Sequence, residues 1–517
     1  MNVAREITAI KKQAGGWYHK NFHAWYHPFF AAGYGATTVA ASRLPVFSRW
    51  GIHLFASNLT DWFWSKGELK KMRDWILRNN KTNTRHLDSL IRQWKKDWRA
   101  FQKYFLWFEQ HDWKKLTDEK LAEKYEQLYD SYVWCNSIPY LADAFLSAGE
   151  EDVVSQRLGE FLISKVPPTE LADSIQRLTQ PVYDSFVNRS HKSLLGLAFM
   201  IERQPKLKRY LLREGVIKTL KLIPQYPQIQ KALDRYAREF HWIHNNYFAV
   251  YRLEHKYALK EIRRMLRSKN DIAAELGKET RMHKRNKVDK RRLFVRLRLP
   301  RELCNLIHLS EKITRWQDDR KSAVYQVNAI MFPMMKEVAR RTGFDWEDVA
   351  MTTKEELLDA LRERKLEAKS LQSRRLRATT IHAQGAVVIL TRDSAKKLQI
   401  SDFQSELKGV KEFKGIPASP GKARGLVRIT RSTADIRSLK TGEILVANNT
   451  TPDYVPAMRK AAAIVTEQGG ITGHASIVSR ELGKPCVVGV EGITRALRDG
   501  QRIEVLADSG TIRILKQ

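Results

Sequence analysis

The chain has 517 residues, of which 43% are hydrophobic, so it is long enough for more than one packed domain. Lysine and arginine number 91 against 57 acidic residues, and the net charge of +34 suits nucleic acid, an anionic surface, or an acidic or phosphorylated partner. The three cysteines, Cys135, Cys304 and Cys486, lie far apart, which argues against a disulfide framework and against a paired-cysteine zinc site.

The N-terminal sequence gives no sign of export or of a membrane anchor. Its first residues, M-N-V-A-R-E-I-T-A-I-K-K, lack the apolar core of a signal peptide. The most apolar stretch, Pro28 to Ile52, is interrupted by charged residues and proline, so we expect no transmembrane helix. We therefore expect the protein to be cytoplasmic.

Apolar and aromatic residues recur at helical spacing up to about Arg377, which predicts a mainly α-helical region over residues 1–377. Thr117 stands where an N-cap is expected, before one of these helices. The clearest helices are predicted at residues 117–132, 170–178, 194–203, 230–264, 303–343 and 354–372.

Three histidines near the N-terminus are spaced for a single helix face. His19, His23 and His27 stand at positions i, i+4 and i+8, but Pro28 interrupts the pattern and nothing nearby completes a ligand set. The flanking aromatic residues favour an aromatic core or docking face. We therefore predict no metal site here.

The densest basic run extends from Lys278 to Arg298 and is predicted to be an exposed connector within the helical region. Its charge would suit nucleic acid, but the sequence has no zinc-finger spacing, RNP signature or heptads that would indicate recognition. A solvated linker or helix face is the simpler interpretation. Further on, residues 378–410 form a predicted transition segment with a short strand at Ala383–Thr391.

A histidine stands at the start of a predicted helix near the C-terminus. A buried strand is predicted at Ala461–Thr466, followed by a glycine loop, by His474 and an apolar helix, and by a second strand at Cys486–Gly489. A neutral imidazole can carry a phosphoryl group as a covalent intermediate. The free N–H groups of a helix start would stabilise the added negative charge. The alternative is that His474 merely caps the helix.

Several blocks around this histidine arrive in the order of a known domain. They are G-I-P-A-S-P-G-K-A-R-G from Gly415, the segment Gly442–Met458, V-T-E-Q-G-G-I-T-G-H-A-S-I-V-S-R-E-L from Val465, and the segment Asp499–Leu515, with a turn at Asp508-Ser509-Gly510. Together they resemble the swivelling phosphohistidine (mobile) domain of the phosphoenolpyruvate-utilising enzymes. That family includes phosphoenolpyruvate synthase, pyruvate phosphate dikinase and rifampin phosphotransferase.

The resemblance implies a multidomain chain, in which a large mainly helical region is followed by an α/β phosphohistidine domain over residues 411–517. It makes His474 the phosphoryl-accepting nucleophile, and Thr472 a neighbour that steadies the ring or the phosphate. Gly469 and Gly470 become the loop that admits the phosphate. Gly473 belongs to the same loop, where better-known members have serine or cysteine, and this difference would tune the reactivity of the histidine.

Three arginines are further candidates for phosphate contact. Arg480 matches the family pattern, although a charged residue after an apolar helix turn is more often structural. A weaker resemblance covers the helical stretch His308–Lys321, where Arg315 or Arg320 would reach phosphate from a polar helix face. An ion-paired structural face is the alternative for both.

The family's usual phosphoryl source and destination are not found in this sequence. Residues 1–410 have no glycine-rich loop with the lysine and acidic ligands of an ATP-grasp domain, and the sequence stops at Gln517 before any barrel domain. We therefore expect a phosphotransfer protein that obtains its phosphoryl group from ATP with Mg²⁺ or from phosphoenolpyruvate on a separate ATP-grasp or phosphoenolpyruvate-binding partner. The alternatives are a non-catalytic basic binding or regulatory protein, and a split subunit of an ATP-dependent synthase or dikinase.

Overall fold

The computed structural model describes residues 2–13, 16–57, 59–147, 153–268, 271–383, 386–403, 410–430, 433–450, 454–470 and 474–515. The chain forms two compact units. The first unit comprises Met1–Phe145, Pro181–Asp289 and His308–Asp402, and the second comprises Leu146–Gln180, Lys290–Ile307 and Phe403–Gln517.

Helices dominate the chain as far as residue 376, which confirms the predicted fold class. Within the described ranges, no helix combines the length and the apolar run that crossing a bilayer requires. In chain order the helices are α1 Val3–Lys11, α2 Tyr26–Tyr34, α3 Ala40–Arg43, α4 Lys66–Asn79, α5 Arg85–Gln110, α6 Asp118–Ser137, α7 Tyr140–Ser147, α8 Val153–Leu162, α9 Pro168–Thr179, α10 Phe186–Glu202, α11 Pro205–Glu214, α12 Val216–Leu222, α13 Pro227–Phe240, α14 His255–Arg267, α15 Ile272–Arg296, α16 Arg301–Thr342, α17 Trp346–Val349, α18 Lys354–Glu363 and α19 Ala368–Leu376.

Some predicted helices are correct and others are interrupted. Thr117 caps α6 by accepting a hydrogen bond from the backbone N–H of Lys120, as expected. The predicted helix 230–264 is instead two helices, because Asn246 accepts hydrogen bonds from the backbone N–H groups of Phe248 and Ala249 and so stabilises a turn between them. The predicted helix 354–372 is also divided, at Arg364, which has a φ of 57°. The basic run 278–298 is largely helical, within α15, rather than a connector.

The first unit contains an antiparallel sheet, of which the sequence predicted only the strand at Ala383–Thr391, observed as β5 Ala386–Thr391. Its strand order is β1-β3-β2-β4-β5, and every neighbouring pair is antiparallel. Nearly all of β3 is buried, and its longest apolar run is Trp62-Phe63-Trp64, which is too short to distinguish a strand from a helix. The strands are β1 Trp17–His23, β2 Trp50–Ala56, β3 Leu59–Ser65, β4 Ala378–Ala383 and β5 Ala386–Thr391.

The three N-terminal histidines do not share a helix, so that expectation is wrong. His19 and His23 lie on β1, and His27 lies on α2. His19 Nε2 is 2.7 Å from Asp61 Oδ1, whereas the buried His27 has Nε2 2.6 Å from the hydroxyl of Tyr125. Burial lowers the pKa of His27 to about 4, so this imidazole is neutral and serves the core of the unit.

An eight-stranded mixed sheet forms the centre of the second unit. Its order is β6-β13-β12-β8-β9-β10-β11-β7, and β8, β9, β10 and β11 run parallel to their neighbours within that group. Its strands are β6 Glu412–Lys414, β7 Ile416–Ser419, β8 Lys422–Thr430, β9 Ile444–Ala447, β10 Ala463–Thr466, β11 Cys486–Val488, β12 Arg502–Leu506 and β13 Thr511–Ile514. Helix α20 Arg392–Ala395 belongs to the first unit, and the helices after it, in the second unit, are α21 Thr433–Ser438, α22 Val455–Lys460, α23 His474–Glu481 and α24 Ile493–Ala496.

Apolar clusters cover both faces of the parallel strands. Val446 and Val465 belong to one cluster, and Leu445 and Ile464 belong to the other. All four side chains are fully buried. A strand that is buried on both faces appears in the sequence as a short apolar run. This explains why β10 and β11 were correctly predicted from the sequence.

The predicted turn at Asp508-Ser509-Gly510 is present and gives a test of the second unit. Gly510 has a φ of 63°, and a methyl group added there would overlap the carbonyl oxygen of Gly415. Gly510→Ala should therefore lower the free energy of unfolding by roughly 2–4 kcal/mol, from backbone strain plus overlap. Calorimetric unfolding of the full chain measures this loss.

Gly500 supplies the matched control for that substitution. It also has a positive φ, of 78°, but an added methyl group would meet no atom of the described structure within 4 Å. Gly500→Ala should therefore cost only about 1–2 kcal/mol, from backbone strain alone. Equal losses of unfolding free energy in the two variants would show that overlap with the Gly415 carbonyl oxygen adds nothing to the cost.

Candidate functional site

The candidate site lies where the parallel strands of the second unit end. Because β9, β10 and β11 run in the same direction, the segments that follow them begin at one edge of the sheet. The segment after β10 leads through Gly469 and Gly470 to α23, which begins at His474. The structure therefore places the predicted nucleophile at the carboxyl edge of the sheet.

Main-chain hydrogen bonds hold the glycine loop against the end of β9. The backbone N–H of Glu467 donates to the carbonyl oxygen of Ala447 over 2.9 Å, and that of Gln468 donates to the carbonyl oxygen of Asn448 over 2.7 Å. Gly469 has a φ of 123°, a conformation that side-chain-bearing residues rarely adopt. Residues 467–470 are therefore held by their backbone, and a side chain at Gly469 would be strained.

The first turn of α23 is tied to the same loop. The buried hydroxyl of Ser476 donates to the carbonyl oxygen of Gly470 over 2.7 Å. The N–H groups of a first helical turn have no partner within the helix and favour an anion. His474 is the first residue of this eight-residue helix, whereas Thr472 and Gly473 lie outside the described residues.

The comparison with known families agrees with this arrangement. Residues 439–510 match the family described as PEP-utilising enzyme, mobile domain. The C-terminal part of this chain is a PEP-utilising enzyme mobile domain. The fold class and the resemblance inferred from the sequence are thereby confirmed for this part of the chain.

Relatives share only part of their length with this chain. A probable phosphoenolpyruvate synthase of Archaeoglobus fulgidus is 46% identical over 124 residues, which are 24% of this chain and 16% of the relative. The phosphoenolpyruvate synthase of Pyrococcus furiosus is 35% identical over 184 residues, 35% of this chain and 22% of the relative. Chondramide synthase of Chondromyces crocatus is 45% identical over 105 residues, 20% of this chain and 3% of the relative. The similarity therefore concerns less than a quarter of each of these proteins.

One solved structure also shows a likeness. Aconitase X of Thermococcus kodakaraensis, in its holo-form, is 20% identical, and the match covers 21% of this chain and 100% of that chain. Its TM-score of 0.18 is too low to support a structural argument.

Sequence reasoning overlooked three residues that shape the mobile domain's loop: Glu467, Ser476 and Thr494. Glu467 Oε2 accepts hydrogen bonds from the backbone N–H of Thr494 over 3.2 Å and from the Thr494 hydroxyl. The carboxylate thus ties the loop after β10 to α24. The acidic residue two positions before the paired glycines was a visible signal, but its partner lies 27 positions away.

Arg480 lies in the last turn of α23 and makes contacts that support the helix. Its Nε donates to the carbonyl oxygen of Ser476 over 2.9 Å, and its Nη1 donates to Gln176 Oε1, on α9, over 3.0 Å. Both residues belong to the second unit. The guanidinium therefore links α23 to α9 within that unit.

Arg315 and Arg320 belong to the first unit, on α16. The buried Arg320 has Nη2 2.6 Å from Asp143 Oδ2, and its guanidinium lies 4.3 Å from the centre of the Tyr140 ring. Burial would raise the pKa of Asp143, but the charges of Arg320 and Lys20 outweigh it and lower that pKa. Arg320 is therefore held in a buried ion pair in the first unit.

The bond between Ser476 and Gly470 can be tested by hydrogen exchange. Ser476→Ala removes a buried donor and leaves the Gly470 carbonyl oxygen without that bond, at a cost of about 1–3 kcal/mol. We expect faster amide exchange in peptides covering residues 467–470. Ser479→Ala is the matched control, because its buried hydroxyl bonds to Ala475 within the same helix. Equal exchange in both variants would contradict a role for Ser476 in fixing the loop.

A carboxylate in the stretch His308–Lys321 predicts a pH dependence of stability. Burial raises the pKa of Asp318 to about 6, although Asp318 Oδ2 accepts a hydrogen bond from the backbone N–H of Phe186 over 2.9 Å. The folded state then retains a proton that the unfolded state has lost, so stability should fall as pH rises from about 4 to about 6.

Asp318→Asn isolates this effect, because asparagine can still accept the bond from Phe186 but never ionises. The variant should have a higher unfolding midpoint than the wild type at pH 7, and no such gain near pH 4. Urea unfolding at the two pH values measures the difference. A gain of equal size at both would rule out ionisation of Asp318 as the cause.

Proposed function

We propose that this chain is a phosphotransfer protein, in which His474 carries a phosphoryl group between a separate nucleotide or phosphoenolpyruvate site and an acceptor. The observation that carries the proposal is the position of His474. It opens α23 directly beyond a glycine loop at the carboxyl edge of parallel strands, within a domain that matches the mobile domain of PEP-utilising enzymes.

The chemistry required of this position is nucleophilic attack at phosphorus. A lone-pair nitrogen of the imidazole would form the N–P bond, while the bond from phosphorus to the leaving oxygen breaks and that oxygen takes the electron pair. Backbone N–H groups at the start of α23 would receive the oxygens of the transferred group. In a second step an acceptor oxygen would attack the same phosphorus and release the histidine.

The hydrogen bonds that hold residues 467–470 support this role. A phosphoryl group gains most from donors that are already in place, because no reorganisation is then needed during transfer. Gly469 has a positive φ, and Ser476 ties the helix start to Gly470. The net charge of +34 would also attract phosphorylated ligands and acidic partners.

The donor and the partner follow from the relatives. Two of them carry the name phosphoenolpyruvate synthase. We propose ATP with Mg²⁺ or phosphoenolpyruvate as the donor, bound by an ATP-grasp or phosphoenolpyruvate-binding protein that works with this chain. In that arrangement the chain would act as a phosphotransferase component, including as a split subunit of an ATP-dependent synthase or dikinase.

Isotope labelling tests the proposal. The full chain is incubated with γ-³²P-ATP and Mg²⁺, or with ³²P-phosphoenolpyruvate, with and without candidate ATP-grasp or phosphoenolpyruvate-binding proteins. We expect acid-labile, alkali-stable label on the wild type and its complete loss in His474→Ala, because phosphorus bound to nitrogen is released by acid.

The control for this experiment is another histidine of the same chain. His191, on α10, has an exposed side chain, so His191→Ala should label like the wild type. The proposal fails if the wild type takes up no acid-labile label with any donor and partner, or if His474→Ala is labelled to the same extent.

A second candidate function is a basic binding protein, and one observation favours it. Helix α15 exposes Arg281, Lys284, Arg285, Lys287 and Arg291 to solvent. Electrophoretic mobility shifts with RNA and DNA at rising salt distinguish the two. A salt-dependent shift that survives His474→Ala, together with absence of labelling, would favour this function over phosphotransfer.

A further inference from the structure

A cavity of about 580 Å³ lies in the first unit and is not explained by the proposed function. Its wall is formed by the segment after α13, by the C-terminal third of α16, by α17 and by Lys114 in the turn Trp113–Lys115. The volume falls in the usual range for a site that binds a small molecule. The lining divides into an aromatic wall and a set of charged side chains.

The aromatic wall is held in place by stacked rings. Trp346 and Phe248, both in the lining, each contact Trp25: the Trp346 ring edge-on at 4.7 Å between centroids, and the Phe248 ring stacked at 5.8 Å. Tyr251 also lines the cavity and is 53% exposed. The wall thus offers a fixed apolar surface together with an accessible ring against which a planar ligand can pack.

The charges of the cavity leave a positive excess. Glu337 is held by Arg340 at 2.6 Å and by Arg341 at 2.8 Å, and these bonds, with burial opposing them, lower its pKa to about 2. Two exposed lysines of the lining, Lys114 and Lys336, have no carboxylate within ion-pair distance in the described part of the chain. The Lys336 ammonium lies 5.6 Å from the centre of the Trp346 ring and that of Lys114 lies 5.9 Å from the centre of the Trp113 ring. Each charge therefore rests beside an aromatic ring and can still pair with an anion.

A proline adds a hydrogen-bond acceptor to the wall. Pro333 lies inside α16 and has no N–H, so the carbonyl oxygen of Ala329 lacks its usual helical donor at i+4. Ala329 and Pro333 both line the cavity. The carbonyl oxygen of Ala329 is therefore an acceptor to which a ligand N–H group can donate from the cavity.

We propose that this cavity binds a small planar aromatic molecule that carries a phosphate group, of the mononucleotide type. The ring packs against Trp346 and Tyr251, the phosphate is bound by Lys114 and Lys336, and a ring N–H group donates to the carbonyl oxygen of Ala329. The site is independent of His474 and goes beyond the proposed function.

Isothermal titration of the full chain with AMP, GMP, CMP and UMP tests the site. Adenosine or guanosine supplies the ring alone, and inorganic phosphate supplies the anion alone. We expect one-to-one binding of at least one nucleotide, about tenfold or more tighter than either part, because both halves of the cavity are then used. If no nucleotide gives saturable binding, or if inorganic phosphate binds equally well, the proposal is wrong.

Variants separate this site from general attraction to a basic protein. Lys114→Ala with Lys336→Ala should weaken nucleotide binding about tenfold or more and leave nucleoside binding unchanged. Tyr251→Ala should weaken the binding of nucleotide and of nucleoside alike. Because the Tyr251 side chain is exposed, we expect this variant to remain folded. Replacement of both lysines by arginine should retain binding.

The matched control removes the same charge elsewhere. Lys70 on α4 and Lys221 on α12 are exposed and lie outside the cavity lining. Lys70→Ala with Lys221→Ala should leave nucleotide affinity unchanged. An equal loss of affinity in this control would show that binding reflects net charge only, and would overturn the proposed site. Unchanged affinity in both the Lys114→Ala, Lys336→Ala double variant and Tyr251→Ala would overturn it as well. His474→Ala should bind nucleotide normally, so this result is distinguishable from a failure of phosphotransfer.

Discussion

The parallel pairing of β9, β10 and β11 is the constraint on which the candidate site depends. Each strand ends at the same edge, so the glycine loop, the start of α23 and the segment after β11 all begin along one edge of the sheet. The strands are buried on both faces, and their position is therefore set by the two apolar clusters of the second unit. His474 takes its place from this sheet.

Near that position, residues 467–470 are held by hydrogen bonds to main-chain carbonyl groups rather than by ion pairs. Glu467 and Gln468 donate their N–H groups to the end of β9, and Ser476 donates to Gly470. Groups held in this way need little rearrangement to meet a charged ligand, whereas a flexible lysine or arginine side chain has to be ordered first. Arg480, the nearby cation of α23, is instead used to hold α23 against α9.

The first unit uses charge in two different ways. In its interior Arg320 and Asp143 form a buried pair, where removing either partner would leave an uncompensated charge and destabilise the fold. At the cavity, by contrast, Lys114 and Lys336 are exposed and the nearby Glu337 is already neutralised. Some of the basic residues behind the net charge of +34 are thus used in structural ion pairs, and others are exposed. Only the exposed ones can attract ligands.

The sequence by itself determined the features whose signals are local. The strand, glycine loop, helix and strand of the mobile domain follow one another between Ala463 and Val488, so apolar runs and glycines identified them without knowledge of distant contacts. The N-cap at Thr117 was predictable for the same reason. Even the position of His474 at a helix start needed only neighbouring residues.

Only the tertiary structure decided the features that join distant segments. Strand β2 pairs with β4, more than 300 positions later, and the helical prediction for residues 1–377 could not detect such a partner. His19 contacts Asp61 and His27 contacts Tyr125, so the two histidines have different surroundings. Arg320 pairs with Asp143, which lies 177 positions away in the sequence. Periodicity reports which residues are apolar and how they are spaced. Which buried surfaces and polar groups satisfy one another depends on the folded chain as a whole.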